Sequence, residues 1–383
     1  MTRPLLLCSA YPFGYGPVVK LMLLAEKLRQ VGFRTLFAGS GIALTVASSS
    51  GLFEEVVETQ PGSSDARRII GSADALLSVM ERDLTRDALE VSKTVYVVDS
   101  LRWMREEIPR PFLQAREYWC QRFLPSDVDP APGTLVGPLV KPMVTSHPCR
   151  RSGLVVNLGG CETAAGPSEE DIHYGKFIVM GIEAMLARRT TPNRKETVRL
   201  IAGKRCIERL TKDLPDCRIT MESVTHSEAL RLFDGAESVL TSPGLTTTLE
   251  CFQLGVPTFF LPPQNYSQSK ILSLLAHEGL APGFFDWSHA GSYMPNLSLE
   301  DLPLEERTPA IRRTIKSLGA LSKHSVLKSS ELLGEHIRDW ITQDRGAIAE
   351  RQHGFFQSLG ANGVDSIVSY LLKAFGLASG LGN

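Results

Sequence analysis

A chain of 383 residues is long enough for two or three domains, and 43% hydrophobic with 22% charged residues is usual for globular proteins. This composition excludes a disordered chain, a fibrous repeat and a disulfide-stapled miniprotein. The 41 Lys and Arg residues balance 42 Asp and Glu residues. The resulting formal charge of −1 argues against a dedicated nucleic-acid binder and against a polybasic membrane surface.

Cysteine usage and hydropathy indicate the compartment. Seven cysteines without paired spacing predict reduced thiols, and therefore a cytoplasmic protein. The sequence has no Cys-x-x-Cys pair, and we expect no metal ion. The apolar run near the N-terminus is too short for a secretory signal, and no window has the roughly 20 apolar residues of a membrane helix. We therefore expect no stable membrane insertion.

The first 140 residues predict a Rossmann-like α/β domain, because strands and helices alternate from the start. An apolar run over 5–10 predicts a buried parallel strand, and a Gly-rich turn with Gly14, Tyr15 and Gly16 follows it. The further predicted elements are a helix over 19–28, a strand over 33–38, a helix over 70–89, a strand over 94–98, a helix over 101–106 and a strand over 134–136.

Prolines and glycines with little periodicity predict a linker over residues 141–152. The α/β pattern then restarts, so residues 153–320 are assigned to a second Rossmann-like domain. Its predicted strands cover 154–158, 198–202, 217–221, 238–241 and 258–261, and its predicted helices cover 177–187, 227–233, 246–254 and 267–278. Residues 321–383 have helical spacing and no strand signal. Two such domains predict a cleft at the carboxyl ends of the two sheets, where these folds bind ligands.

The sharpest motif is a strand, a tight turn and a helix start between Thr241 and Glu250. Gly244 lets a ligand approach the backbone, and the N–H groups and hydroxyls of the first helical turn suit a diphosphate. Glu250 lies one turn beyond Thr246 on the same face, where a carboxylate suits the two hydroxyls of a ribose. Ordinary helix capping is the alternative interpretation of the same residues.

A polar segment follows the next apolar strand, and its amides suit a sugar. Asn265 and Gln268 each donate and accept hydrogen bonds, as recognition of sugar hydroxyls requires. The alternative is an ordinary loop in which Ser267 caps the following helix.

These two segments resemble the donor-binding signature of GT-B glycosyltransferases, in the group that includes UDP-glucuronosyl and antibiotic glycosyltransferases and the lipid II N-acetylglucosaminyltransferase. The matching run within residues 222–270 is S-P-G-x-T-T-x-x-E, G-V-P, an apolar strand and P-x-Q-N-x-x-Q. The resemblance implies two Rossmann-like domains facing a cleft, with residues 321–383 as helices that cross back onto the N-terminal domain. One departure is that several members have His where this chain has Ser242 or Pro243.

By this resemblance, the second domain binds a nucleoside-diphosphate sugar. The residues implied at the diphosphate are Ser242, Gly244, Leu245, Thr246 and Thr247, with a second loop at Gly159 and Gly160, for which a tight βα turn is the alternative. Glu250 would hold the ribose. Asn265 and Gln268 would lie near the donor sugar, and Gly203 and Val224 near the base. His226, at a helix start, is expected to be structural.

The same resemblance assigns the acceptor to the first domain, with Gly14 and Gly16 facing the cleft, although a closely packed turn explains this Gly loop equally well. The His that serves many members as general base is absent, and Tyr15 stands in that neighbourhood. Asp99 ends an apolar strand and is our candidate base, with helix capping as its alternative role. Trp103, together with Tyr118 and Trp119, is the candidate platform for a flat acceptor. The alternative is that these residues lie in helices and belong to the core, as aromatic residues in helices usually do.

The implied activity is a metal-independent, inverting transfer from a UDP-sugar, with that sugar nucleotide as co-substrate and no further cofactor. Without a basic amphipathic helix for membrane docking, we expect a small soluble acceptor such as a nucleobase or a natural-product intermediate. The stretch Val-Val-Asp-Ser-Leu-x-Trp resembles cytosylglucuronate synthases, which use UDP-glucuronic acid in antibiotic biosynthesis.

Two alternatives stay open at this point. One is a UDP-sugar hydrolase or epimerase of the same fold, and the other is a non-catalytic subunit that binds a nucleotide sugar. A nicotinamide dehydrogenase is disfavoured, because the first Gly loop lacks G-x-G-x-x-G and no acidic residue ends the second predicted strand.

Overall fold

A computed structural model describes residues 3–124, 132–143, 151–159, 161, 165–187, 197–293 and 297–377. The chain folds as two compact α/β units. The first unit comprises Met1–Pro142 with Gln357–Asn383, and the second comprises Met143–Phe356. Both contain a parallel sheet with helices on its two faces, so the predicted fold class is confirmed.

The first unit contains a seven-stranded sheet. Its strands are β1 (Leu5–Ala10), β2 (Arg34–Gly39), β3 (Val56–Glu58), β4 (Ala75–Val79), β5 (Thr94–Asp99), β6 (Glu117–Gln121) and β7 (Thr134–Val136). They lie in the order β3-β2-β1-β4-β5-β6-β7, and every neighbouring pair is parallel. The helices between them are α1 (Tyr15–Gln30), α2 (Gly41–Ser50), α3 (Ser64–Ser72), α4 (Arg82–Glu90) and α5 (Arg110–Leu113).

The second unit contains a five-stranded sheet. Its strands are β8 (Leu154–Asn157), β9 (Val198–Ile201), β10 (Thr220–Glu222), β11 (Ser238–Thr241) and β12 (Thr258–Phe260). They lie in the order β10-β9-β8-β11-β12, again with parallel pairs. Its helices are α6 (Glu169–Ala187), α7 (Lys204–Asp213), α8 (His226–Gly235), α9 (Leu245–Gln253), α10 (Tyr266–His277), α11 (Leu304–Ser317), α12 (Lys323–Ile341) and α13 (Arg345–Ser358).

The last helix, α14 (Gly363–Ala374), completes the first unit. Its buried Ile367 and Leu371 belong to the same apolar cluster as Leu24 of α1 and Tyr96 of β5. At the start of the helix, the Gly363 N–H donates to the Pro138 carbonyl at 2.9 Å. One face of the first sheet is thus covered partly by the end of the chain.

The C-terminal segment that belongs to the first unit begins later in the chain than predicted. Residues from 321 onward were expected on the first domain, but α12 packs against α6 of the second unit. Small residues allow this close packing, since a Cβ added at Gly334 would lie 2.6 Å from the Gly181 carbonyl oxygen. Only the chain from Gln357 onward belongs with the first unit.

Several elements of the first unit differ from the sequence predictions. The predicted helix over 70–89 is wrong, because the structure has α3, the strand β4 and α4 in this region. All five residues of β4 are buried in the sheet, so this strand has no polar alternation to reveal it. The predicted helix over 101–106 is a single 3-10 turn, Arg102–Met104, and β6 was not predicted. Of the helices within the described ranges, none has the length and apolarity needed to cross a bilayer.

Candidate functional site

The carboxyl ends of β8, β11 and β12 lie side by side at one edge of the second sheet, which is where parallel α/β folds place ligands. Asn157, the last residue of β8, links this strand to β11 and to α9. Its Nδ2 donates to Thr241 Oγ1 at 3.1 Å and to Thr247 Oγ1 at 3.5 Å, and its Oδ1 accepts from the Gly159 N–H at 3.1 Å. Sequence reasoning missed Asn157, because these contacts join distant parts of the chain.

Helix α9 begins at this edge, where the Gly244 N–H donates to the Ser242 carbonyl at 2.6 Å. Gly244 is its N-cap residue, and no side chain in the described part of the chain caps it. A Cβ added at Gly244 would meet only the Ser242 carbonyl oxygen, at 3.9 Å. Leu245 is buried, and Thr246 and Thr247 are half-buried. The first turn of a helix presents N–H groups that the helix does not use and the positive end of its dipole, so this turn suits an anion.

The Ser242 hydroxyl is committed to the protein. It accepts from Gln264 Nε2 at 2.7 Å, lies 3.1 Å from the Tyr174 hydroxyl and donates to the Leu158 carbonyl at 3.3 Å. Tyr174 also donates to the Pro262 carbonyl at 2.8 Å, and burial raises the pKa of Tyr174. The Ser242 N–H also donates, to the Asn157 carbonyl at 3.1 Å. Because both its hydroxyl and its N–H have partners within the protein, the diphosphate contact of Ser242 stays a prediction.

The loop after β8 has a strained backbone. Gly159 has φ 70°, and Cys161 has φ 46°, which is uncommon for a residue with a side chain. The Cys161 thiol donates to the Leu158 carbonyl at 3.1 Å and to Gln264 Oε1 at 3.2 Å. A hydrogen bond with Cys206, together with burial, raises the pKa of Cys161. Gly160, the second predicted glycine, lies outside the described residues.

Glu250 lies on α9, one turn beyond its start, and is buried with 2% of its surface exposed. Its Oε1 is 2.7 Å from Nε2 of His226, the first residue of α8. Val224, predicted near the base, is half-buried two residues before His226, and Gly203, also predicted there, is the N-cap residue of α7. The structure therefore brings His226, expected to be structural, into contact with the predicted ribose carboxylate.

The predicted sugar contacts, Asn265 and Gln268, help to build their own loop. Asn265 is the N-cap residue of α10, where its Oδ1 accepts from the Gln268 N–H at 3.1 Å and from Ser267 Oγ at 2.7 Å. The cap is therefore Asn265 and not Ser267. Gln268 Oε1 accepts from the Gln264 N–H at 2.7 Å. Both side chains lie just beyond β12, at the same sheet edge as Gly244.

In the first unit, the predicted Gly loop follows β1. Gly14 has φ 79° and is the N-cap residue of α1, which Tyr15 and Gly16 begin. Two aromatic side chains that sequence reasoning did not single out are exposed beside them, Tyr11 at 42% and Phe13 at 67%. Their ring centroids are 5.5 Å apart. The carboxyl edge of a parallel sheet is where such folds bind ligands, and an exposed aromatic pair there suits contact with a flat apolar group.

Asp99, the candidate base, is fully buried at the end of β5. Its Oδ2 accepts from Arg105 Nε at 3.0 Å and from the Tyr118 hydroxyl at 2.9 Å, and its Oδ1 accepts from the Leu101 N–H at 2.8 Å. A carboxylate held by three donors is typical of a structural role. This geometry favours the capping alternative, and catalysis by Asp99 stays a prediction.

The predicted aromatic platform is not formed as expected. Tyr118 and Trp119 are neighbours on β6 and are both buried, in the clusters on opposite faces of the sheet. Trp119 stacks on Tyr96, with centroids 5.9 Å apart. Trp103 packs against Phe123 at 4.6 Å, and its Nε1 donates to the Ser100 carbonyl at 3.1 Å. Alternation along a strand separates Tyr118 from Trp119, whereas the sequence interpretation placed these aromatic residues in helices.

Glu81 is another buried carboxyl of the first unit, and no motif in the sequence singles it out. Glu81 follows Met80, which has φ 59°, at the carboxyl end of β4. Its side chain caps α4, because Oε2 accepts from the Leu84 N–H at 2.6 Å and Oε1 from the Asp83 N–H at 3.2 Å. Burial raises the pKa of Glu81 to about 6. Among the described residues, no group of three or more His, Cys, Asp or Glu side chains is placed to hold a metal ion.

Comparison with known proteins gives matches among solved structures. No protein-family model and no curated protein matches the chain. Acinetobacter baumannii MurG is 13% identical with a TM-score of 0.57, over 97% of this chain and 99% of that one. Os79 from O. sativa, solved in complex with UDP, is 11% identical with a TM-score of 0.55, over 97% and 100%. CalG4, the calicheamicin glycosyltransferase, is 13% identical with a TM-score of 0.53, over 99% and 100%. At these identities, the similarity shows a shared fold.

Proposed function

Because the chain has the GT-B fold of these glycosyltransferases, as the sequence resemblance predicted, we propose that it transfers a sugar from a UDP-sugar to a small acceptor. One observation carries this proposal. At the carboxyl edge of the second sheet, α9 begins at Gly244 with no side-chain cap from the described part of the chain, and the buried carboxylate of Glu250 follows on the same helix. Os79 was solved with UDP, which supports the choice of nucleotide.

The start of α9 provides the chemistry that the leaving group needs. A diphosphate gains negative charge as the bond to the sugar breaks, and preorganised N–H groups at a helix N-terminus stabilise that charge. The hydroxyls of Thr246 and Thr247 belong to the same turn. Since these groups are neutral donors fixed by the fold, we propose that the transfer needs no divalent metal ion and no further cofactor.

We propose that the acceptor binds to the first unit and attacks the anomeric carbon directly, with inversion. The exposed ring pair of Tyr11 and Phe13 supports a flat acceptor, such as a nucleobase or an aromatic natural-product intermediate. UDP-glucuronic acid is our proposed donor, on the sequence resemblance alone. Asp99 is the candidate general base, and Tyr15 is the second candidate catalytic residue.

Binding measurements test the nucleotide. We expect UDP and UDP-glucuronic acid to raise the melting temperature of the protein, because a ligand that binds only the folded state stabilises it. TDP-sugars and NAD serve as comparisons in the same thermal-shift assay. A preference for NAD would contradict the proposal. A mass-spectrometric search for glycosylated products, with UDP-sugars and pooled small acceptors, then tests the activity.

The variant Asp99→Asn distinguishes a catalytic role of the Asp99 carboxylate from a structural one. A catalytic Asp99 predicts loss of turnover with UDP affinity nearly unchanged, because the second unit binds the nucleotide. A structural Asp99 predicts a lower melting temperature and residual turnover, because the amide cannot replace a carboxylate that accepts from Arg105 and Tyr118. Turnover per folded molecule, measured beside the melting temperature, distinguishes the two roles.

The burial of Asp99 also favours a second candidate function. With this carboxylate held by three donors, a non-catalytic subunit that binds a nucleotide sugar fits the second unit equally well. Tight UDP binding without turnover on any acceptor would favour that function. Release of free sugar from the donor in the absence of acceptor would instead favour a hydrolase of the same fold.

A further inference from the structure

The buried carboxylate of Glu250 lies against the imidazole of His226. Its exposed fraction is 2%, and Oε1 lies 2.7 Å from Nε2 of His226. Within the described ranges, His226 is the only Lys, Arg or His side chain within 4.0 Å of this carboxylate. A carboxylate taken out of water is costly unless it is paired or hydrogen-bonded, so the contact with His226 is a large part of what allows Glu250 to be buried.

The position of His226 is itself fixed by the start of α8. The Thr225 hydroxyl accepts from the Glu228 N–H at 3.3 Å, and Glu228 Oε2 accepts from the Thr225 N–H at 2.8 Å. This capping box orients the first turn of the helix. Leu230 of α8 and Cys251 of α9 then share one apolar cluster, so the two helices that carry the pair are packed together.

We propose that His226 is a positioning residue for the carboxylate that receives the ribose, an inference that rests on the proposed function. By holding Oε1, the imidazole keeps Glu250 in one orientation. A carboxylate has about four lone-pair sites, so it can accept from His226 and still accept from the two hydroxyls of a ribose. The same contact joins α9 to the turn after Val224, which we assign to the base. His226 therefore links ribose recognition to base recognition without touching the ligand.

The test compares two nucleotides that differ only in the ribose hydroxyls, UDP and 2′,3′-dideoxy-UDP. His226→Phe keeps an aromatic ring and removes the hydrogen bond, whereas His226→Gln keeps a side-chain N–H. His277→Phe is the matched control, because His277 is an exposed His 3.4 Å from Glu278 at the end of α10. Calorimetry gives both dissociation constants for each variant, and their ratio does not depend on the folded fraction of the sample.

We expect wild-type protein and His277→Phe to bind UDP more tightly than the dideoxy nucleotide. In His226→Phe this preference should fall about tenfold, the effect of one hydrogen bond to a charged group, while dideoxy-UDP affinity stays within about twofold. His226→Gln should recover most of the preference.

The inference is overturned if His226→Phe keeps the full preference, or if it weakens both nucleotides by the same factor, as general damage to the pocket would. If wild-type protein binds neither nucleotide, the proposed function fails, and this inference fails with it. The wild-type measurement therefore separates the two failures.

Discussion

Ser242 shows how one side chain at a ligand edge can serve the protein and not the ligand. Its hydroxyl contacts Tyr174, Gln264 and the Leu158 carbonyl, all of them buried. Each of these groups would lose a partner if the hydroxyl were removed. Buried polar groups left without partners destabilise a protein more than the average hydrogen bond stabilises it.

Ser242→Ala should therefore lower stability without a matching loss of ligand affinity. We expect the free energy of unfolding to fall by about 1–3 kcal/mol and the UDP dissociation constant to change by less than about threefold. Urea unfolding and calorimetry measure the two quantities. Ser288→Ala, at an exposed serine of the same unit, is the control. A large loss of affinity with stability unchanged would instead make the hydroxyl a direct diphosphate contact.

Glu81 gives the first unit a dependence on pH. Burial raises its pKa from 4.5 to about 6, so the folded state holds a proton that the unfolded state loses at lower pH. Stability then falls as the pH rises through the window from 4.5 to 6, and the full loss above it is about 2 kcal/mol. Glu81→Gln should flatten this part of the pH profile of the urea midpoint.

Glu54→Gln is the control, because the pKa of Glu54 is shifted in the opposite direction from that of Glu81. Glu54 is hydrogen-bonded to Arg34, which lowers the pKa of Glu54, so its stabilising contribution is lost as the pH falls. Glu54→Gln should therefore reduce stability at neutral pH and have less effect in acid. If Glu81→Gln leaves the profile between pH 4.5 and 6 unchanged, burial does not control this carboxyl.

Local sequence could predict part of the candidate site. The sequence from Gly244 to Glu250 predicts where both residues lie, because Gly244 is in the turn that begins the helix and Glu250 is on the helix itself. Asn157, Tyr174 and Gln264 could not be predicted, since their hydrogen bonds join residues that are far apart in the sequence. His226 was correctly placed at a helix start, but no local signal shows that its ring reaches Glu250.

At the scale of elements, the start of α9 gives our strongest prediction, which concerns stability and UDP binding in the variant Gly244→Ala. Gly244 has φ −81°, which any residue can adopt, and an added Cβ would make an ordinary contact of 3.9 Å with the Ser242 carbonyl oxygen. Gly244→Ala should therefore cost about 1 kcal/mol or less in stability, as at other helix N-caps. The new methyl group would, however, stand where a diphosphate must approach the backbone.

We expect Gly244→Ala to weaken UDP binding about tenfold or more, which corresponds to roughly 1.4 kcal/mol. Gly235→Ala is the control, because its added Cβ meets nothing within 4 Å in the described part of the chain and the residue lies at the C-terminal end of α8. Calorimetry with UDP measures both variants. Equal affinities for the two variants would show that the ligand does not approach α9 at Gly244.

Elements were predicted well where they are short and bounded by turn residues. The strands β1 and β11 match their predicted ranges, because polar or glycine-containing turns follow each apolar run. The failure at β4 has the opposite cause. Ala75–Val79 consists of residues that also form helices, and it lies between two real helices. Burial in the middle of a sheet overrides local propensity there.

At the scale of the whole molecule, the two ends of the chain fold together. Ile367 of α14 is fully buried in the cluster that contains Leu6 of β1 and Leu24 of α1. Ile367→Ala should lower the stability of the first unit by about 2–5 kcal/mol, because it leaves a cavity in this core. The neighbouring exposed Ser366→Ala should change it by less than about 0.5 kcal/mol.

Hydrogen exchange measures this effect by region. Ile367→Ala should increase exchange in β1 and α1, and exchange in β8 and β11 should stay the same, since those strands belong to a separate core. If both units lose protection equally, they unfold as one cooperative body. The architecture of two α/β units was predictable from the repeated pattern, but the site where the chain returns was not, because it depends on how closely α12 fits α6.

The network of Ser242, Tyr174 and Gln264 has a thermodynamic consequence. Its hydrogen bonds run within the protein and tie the loops after β8, β11 and β12 to one another. A ligand that docks on ordered loops spends little of its binding free energy on conformational entropy, since few rotamers remain to be frozen. Association at this edge should therefore show only the small negative heat-capacity change of a preformed surface, without the larger change that accompanies folding upon binding.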